Sequence, residues 1–180
     1  PKVAIRVNNL AVVLRRQGDL VSAGMASERA LAVVEAVYGP DHPKVAIRVN
    51  NLGVVLRRQG DLVSARLAYE RALAIDEAVY GPDHPSVAIR VNNLGSVLQD
   101  LGDLAGARAA YERALAIDEA VYGPDHPSVA IRVNNLGGVL RDLGDLAGAR
   151  AAHERALEIW EAFDDPRADI ARQWLATLQE

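Results

Sequence analysis

The chain repeats itself. "VYGPDHP" stands at Val37–Pro43, Val79–Pro85 and Val121–Pro127, each copy 42 residues after the last. The repeat divides the sequence into units 1–42, 43–84, 85–126 and 127–165, followed by a tail, 166–180. A period of this length belongs to a solenoid, a propeller or an array of small units. The content of one unit chooses among them. Val87, Val91, Leu94, Val97 and Leu98 recur at three- and four-residue steps, which predicts an amphipathic helix from about Ser86 to Leu101. Pro85 suits a first helical turn, and Gly102 followed by Asp103 reads as a helix end and the cap of the next helix. Ala107, Ala110, Tyr111, Ala114, Leu115 and Ile117 then predict a second helix over Leu104–Tyr122, which "GPDHP" breaks. No strand-like alternation occurs, so a propeller is excluded. Two helices cannot bury their apolar faces alone. Neighbouring units must therefore stack into an all-α solenoid.

Composition narrows the function. The chain has 180 residues with a net charge of −4, and half of them are hydrophobic although only 4% are aromatic. Aliphatic and small side chains must fill the core. The negative charge disfavours a nucleic-acid or membrane-surface partner. No apolar run approaches the ~18 residues of a membrane span. Cysteine is absent, which removes disulfide and thiolate chemistry and fits a reducing compartment; the chain is read as cytoplasmic. Pro1 opens inside a unit, so a longer parent protein is expected. The tail "EIWEAFDDPRADIARQWLATLQE" loses the DHP linker. Its Ile170, Trp174, Leu175 and Leu178 predict one more helix, capping the last unit, with Trp160 and Trp174 packed together.

"NLGVVLRRQGDLVSARLAYERAL" resembles the tetratricopeptide repeat. Leu52-Gly53 matches its Leu-Gly, and Ala65, Tyr69 and Ala72 match the Ala, aromatic and Ala of its second helix. Val49 stands at the usual Trp and Leu56 at the usual Tyr, while Glu77 replaces the usual Pro, so the second helix should run on. The 42-residue unit, with "NNL" and the "YGPDHP" linker, is similar to the repeats of kinesin light chains and of bacterial NTPase regulators of the NB-ARC or STAND type. The resemblance implies a right-handed superhelix of four helix-turn-helix repeats plus a capping helix, with the first helix of each repeat on the concave wall. Gly53, Gly95 and Gly137 fall where the helices of a unit should cross closely. The first unit differs: Ala11 replaces that glycine, Ser27 the aromatic and Gly24 the arginine of Arg66, Arg108 and Arg150. Looser packing is expected there.

The concave wall supplies the candidate site. Asn8-Asn9, Asn50-Asn51, Asn92-Asn93 and Asn134-Asn135 recur in the middle of helices, where Asn is a poor former. An amide donates and accepts, so it can hold the backbone of a peptide without reading its sequence. In related repeats the second Asn contacts peptide, a position matched by Asn9, Asn51, Asn93 and Asn135. One Asn of each pair could equally hold the stack. Arg15, Arg16, Arg57 and Arg58 make the early groove basic, whereas the later units carry Gln99-Asp100 and Arg141-Asp142. Val12, Val54, Ser96 and Gly138 vary at one groove position in otherwise similar copies. A partner segment acidic at that N-terminal end would suit the arginines.

Neither a catalytic site nor a cofactor is expected. The sequence holds no GxxxxGK[ST], GxSxG or HExxH. His42, His84 and His126 recur at the repeat distance, not at metal-ligand spacing, and read as helix-starting turns. The function expected is peptide or protein binding in the groove, as the sensor part of a larger regulator. The alternative is a spacer that stacks end to end through an uncapped first repeat.

Overall fold

The computed structural model describes residues 2–178, with side chains from Arg6 onward. Pro1, on which the uncapped first repeat was argued, lies outside the described residues. These form α1 (Lys2–Gln17), α2 (Leu20–Tyr38), α3 (Pro43–Gln59), α4 (Leu62–Tyr80), α5 (Pro85–Asp100), α6 (Leu104–Tyr122), α7 (Pro127–Asp142), α8 (Leu146–Ala162) and α9 (Ala168–Thr177), with no strand among them. There are two compact units, Pro1–Val97 and Leu98–Glu180. In the first, α1 packs on α2, α2 on α3 and α3 on α4. In the second, α6 packs on α7, α7 on α8 and α8 on α9. Helix pairs packed in succession are the architecture the repeat demanded.

The punctuation works as local chemistry. Each DHP histidine is a cap: Nδ1 of His42, His84 and His126 accepts from the backbone N–H of Lys44, Ser86 and Ser128, each at 3.1 Å. The imidazoles lie on Tyr38, Tyr80 and Tyr122, with ring centroids 4.7, 4.4 and 4.5 Å apart. The proline that follows occupies the first helical turn, where its missing N–H costs nothing. Asp19, Asp61, Asp103 and Asp145 cap the second helices by accepting from the N–H three residues on. Between the two helices, Gly60 takes a left-handed φ of +84°, a conformation that other residues adopt at a cost.

Core packing explains the mid-helix glycines. A Cβ on Gly53 would lie 2.7 Å from the Tyr69 ring, and one on Gly137 would lie 2.8 Å from the His153 ring. The helices of a pair cross with no room for a methyl group. In the first pair Ala11 is tolerated because Ser27 has no ring.

Buried ion pairs join a second helix to the first helix of the next repeat. Arg90 Nε donates to Asp76 Oδ2 and Arg132 Nε to Asp118 Oδ2, each at 2.9 Å. All four side chains are almost fully buried. Arg48 is the counterpart of these arginines, but Val34 stands where the aspartate would be. Its Nε is buried without a hydrogen-bond partner among the described residues.

The tail helix corrects one expectation. α9 buries Ala168 and Ala171, while Ile170 is 43% exposed. Trp160 packs in a core with Val129, Val133, Ala168 and Ala171. Trp174 instead stacks on His153 at 5.9 Å and lies beneath the Arg141 guanidinium at 4.3 Å. The two tryptophans thus take different partners.

Candidate binding groove

In the first unit the asparagines form a ladder. Asn51 Nδ2 donates to Asn8 Oδ1 at 2.9 Å, and Asn93 Nδ2 donates to Asn50 Oδ1 at 2.8 Å. The second Asn of one repeat therefore reaches back to the first Asn of the repeat before it. Asn50 and Asn92 are buried, Asn8, Asn51 and Asn93 half-buried, and Asn9 exposed. Each rung uses one donor and one acceptor of two amides that can make several bonds apiece. The ladder accounts for asparagine inside a helix: an amide is a costly group to bury unless it is paired.

Beside the ladder lies a basic recess. Arg15, Arg16, Arg57 and Arg58 surround it with Val54, Tyr69 and Asn93, and it measures about 840 Å3 with its open mouth included. Arg15 and Arg57 are half-buried, Arg16 and Arg58 exposed. Arg58 Nη1 donates to the Arg15 carbonyl at 3.2 Å, which ties the end of α3 to the end of α1. Arg15 and Val54 also line a smaller hollow of about 300 Å3, mouth included, with Asn8, Ala11, Val12, Ser27, Asn51 and Val55.

The second unit treats the same positions differently. Arg141 Nη2 and Nε donate to Asp142 Oδ1 at 2.7 and 3.1 Å. Gln99 Nε2 donates to Asp142 Oδ2 at 2.6 Å and accepts from Tyr111 Oη at 3.2 Å. Burial opposes the charge on Asp142, but the hydrogen bonds from Gln99 and Arg141, with the Arg141 charge, hold its carboxyl below the usual range. Here the arginine is neutralised by its own neighbour. Ser96, at the end of the first unit, turns its Oγ back onto its own helix and donates to the Asn92 carbonyl at 3.2 Å. Asn134 Oδ1 faces His153 Nδ1 at 3.0 Å, and Asn135 is half-buried beside it in sequence. Burial, with a smaller part from the Arg141 charge, lowers the His153 pKa to about 4. His153 is therefore neutral at pH 7.

The structure thus brings Asn8, Asn50, Asn51, Asn93, Val54 and the four early arginines together on one wall of the first unit. Tyr69, Ala11 and Ser27 belong to that wall as well, though they were read from sequence as packing residues. A signal existed: Ala11 and Ser27 depart from the repeat together. Among the described residues no group of three His, Cys, Asp or Glu could hold a metal ion. No helix among them is long and apolar enough to cross a membrane.

The tetratricopeptide-repeat family profile matches residues 3–78, 48–90 and 87–162. The structure of BtubC (BKLC) from P. vanneervenii is similar at 29% identity and a TM-score of 0.79; the match covers 89% of this chain and 64% of that one. The chain thus spans less than two thirds of BtubC. The kinesin-light-chain-like protein of Podosopora anserina with nearly identical TPR-like repeats shares the fold at 20% identity and a TM-score of 0.80, over 96% of this chain and 83% of that one. Its Q17M variant matches at 19% identity and a TM-score of 0.81, with the same coverage. No curated protein matches the chain in sequence. Tetratricopeptide repeats are generally protein-interaction modules and typically non-enzymatic scaffolds, and this chain, with the profile spanning nearly all of it, belongs to the tetratricopeptide-repeat family.

Proposed function

We propose that the first unit binds a peptide segment of a partner protein, acidic where it meets Arg15, Arg16, Arg57 and Arg58. The observation that carries this reading is the basic recess beside the amide ladder. Four guanidinium groups around one concavity favour carboxylates, which they can pair with in bidentate fashion. The ladder amides keep capacity for backbone groups of an extended segment. In this reading the chain is the partner-sensing part of a larger cytoplasmic regulator, and its chemistry is recognition alone. The test uses the protein's own later repeats. Arg57→Gln with Arg58→Asp installs the Gln99-Asp100 pair, which a helix of this family already carries. A displayed peptide library captured by the wild-type chain should be rich in Asp and Glu. The double variant should bind those peptides at least ~10-fold more weakly, with its unfolding midpoint little changed. Equal binding by both proteins would remove the recess from the reading.

A second reading rests on α1. Leu10 is 52% exposed and Val13 48% exposed, whereas their counterparts Leu52 and Val55 are half-buried and buried. Such an apolar helix face suits another helix pair, including one from a second copy of the chain. Sedimentation velocity across a hundredfold concentration range separates the two. A monomer at every concentration rejects self-assembly.

A further inference from the structure

The first repeat lacks a ring that the others carry. In the second repeat Tyr69 fills the space between helices, packing on Val97 with Val54 and Leu94 against it. In the fourth repeat His153 occupies the same place against Gly137. The counterpart in the first repeat is Ser27. Its hydroxyl is buried and already satisfied, donating to the Ala23 carbonyl at 2.8 Å. What remains is the open-mouthed hollow described above, with Val12, Val54, Val55 and Ala11 as its apolar walls and Asn8, Asn51 and Arg15 as its polar ones. Val55 is the counterpart of Val97, the residue against which Tyr69 packs. The wall that repeat three offers to the ring of repeat two is therefore also offered by repeat two to repeat one, which has no ring. The hollow shares Arg15 and Val54 with the basic recess.

We infer that this hollow receives an aromatic side chain, of the Phe or Tyr type, from the peptide bound in the groove. The inference rests on the groove reading for the origin of the ring, and on the hollow alone for its chemistry. The apolar walls suit the faces of a ring and the amides of Asn8 and Asn51 a hydroxyl at its edge, and a flat ring is the shape its counterparts accommodate. Ala11 carries a methyl group where Gly53 carries none, so the guest ring sits shallower than Tyr69 does. An aromatic anchor in a largely pre-formed pocket is also an efficient use of contact area, since its ring has few torsions to freeze.

p-Cresol, the side chain of tyrosine, is the first probe. Titrated into methyl-labelled full chain, it should give saturable shifts at the methyl groups of Ala11, Val12, Val54 and Val55, and none at Val139. Ala11→Gly with Ser27→Tyr rebuilds the arrangement of Gly53 and Tyr69, and should abolish those shifts while the protein stays folded. Ser27→Leu fills the hollow without altering α1 and should do the same. The inference is overturned if cresol gives no saturable shift up to its solubility limit, or if the shifts persist in both variants. A captured groove peptide is the second probe. Replacing its aromatic residue by Ala should weaken binding at least ~10-fold to wild type and little to the Ala11→Gly, Ser27→Tyr protein. Peptides bound without any cresol response reject the ring site and leave the groove standing. A cresol response with no peptide ever captured rejects the groove reading, and the peptide origin of the ring with it.

Discussion

Arg48 and Val34 show how one residue can unbalance a repeat. Arg90 and Arg132 have carboxylates at 2.9 Å, and Arg48 has a valine where its partner would be. Desolvation accordingly lowers the Arg48 pKa below its ordinary value. Removing one partner of a buried pair is worse than replacing both, because it leaves a charge uncompensated. Val34→Asp should therefore stabilise the chain by about 1–3 kcal/mol, the worth of a charged hydrogen bond. Asp76→Val should cost about 3–5 kcal/mol by stranding Arg90. Urea unfolding of the two variants checks both signs. His153 adds a pH term. Its folded pKa of about 4 lies below the model-peptide value of 6.5, so the unfolded chain takes up the proton first. Stability should fall by about 2–3 kcal/mol as pH drops from 6.5 to 4, and this contribution should level off below 4. Urea midpoints at pH 7 and pH 4.5 should differ less in His153→Phe than in wild type. Sequence reading singled out the asparagine pairs because Asn is unwelcome in a helix. It could not show that Asn51 reaches Asn8, since that contact depends on how one repeat leans on the previous one.

At the scale of elements, helix limits were legible because their signals are local chemistry. The second helix of the third repeat was expected over Leu104–Tyr122 and is found there. Gly, Pro, Asp and His act within a few residues of themselves, so no tertiary knowledge is needed. α9 was harder. The large residues Ile170, Trp174, Leu175 and Leu178 mark the helix in the sequence, whereas Ala168 and Ala171 are too small to signal a buried face. Close packing against α8 selected the small residues, burying Ala168 and Ala171. The same demand for closeness fixes Gly53. Gly53→Ala would put a methyl group 2.7 Å from the Tyr69 ring, and overpacking of that kind costs about 1–3 kcal/mol. Tyr69→Ser alone opens a cavity and costs more. The two together reproduce Ala11 with Ser27, so their sum should exceed the double variant's cost by about 1 kcal/mol or more. Thermal unfolding of the four proteins closes that cycle, and additive costs would mean that glycine is there for another reason.

For the whole chain, the consequence is a gradient of local stability written into near-identical repeats. Repeat proteins gain stability from each unit and from each interface between neighbours. The first repeat is deficient in both respects. It lacks the ring that joins its two helices, and its interface with the second repeat lacks the buried aspartate. It also carries a hollow where its counterparts are filled. Backbone amides of α1 and α2 should therefore exchange with solvent faster than those of α3 and α4, by local opening that leaves the later helices closed. Chain-end fraying would give α1 the same rank, so the rank alone decides nothing. The deciding comparison is a repaired protein carrying Ala11→Gly, Ser27→Tyr and Val34→Asp, which has the same end and the same length. If packing and the missing ion pair set the gradient, protection throughout α2 should rise in that protein by about tenfold or more, the size expected from a kcal/mol or two of added local stability. Protection in α7 and α8 should stay where it was. If fraying sets it, the repaired α2 should exchange at the wild-type rate. The outcome bears on recognition as well. A soft first repeat with an open hollow can adjust to a guest ring, and the repaired protein, firm and filled, should have lost that capacity in the same step that made it more stable.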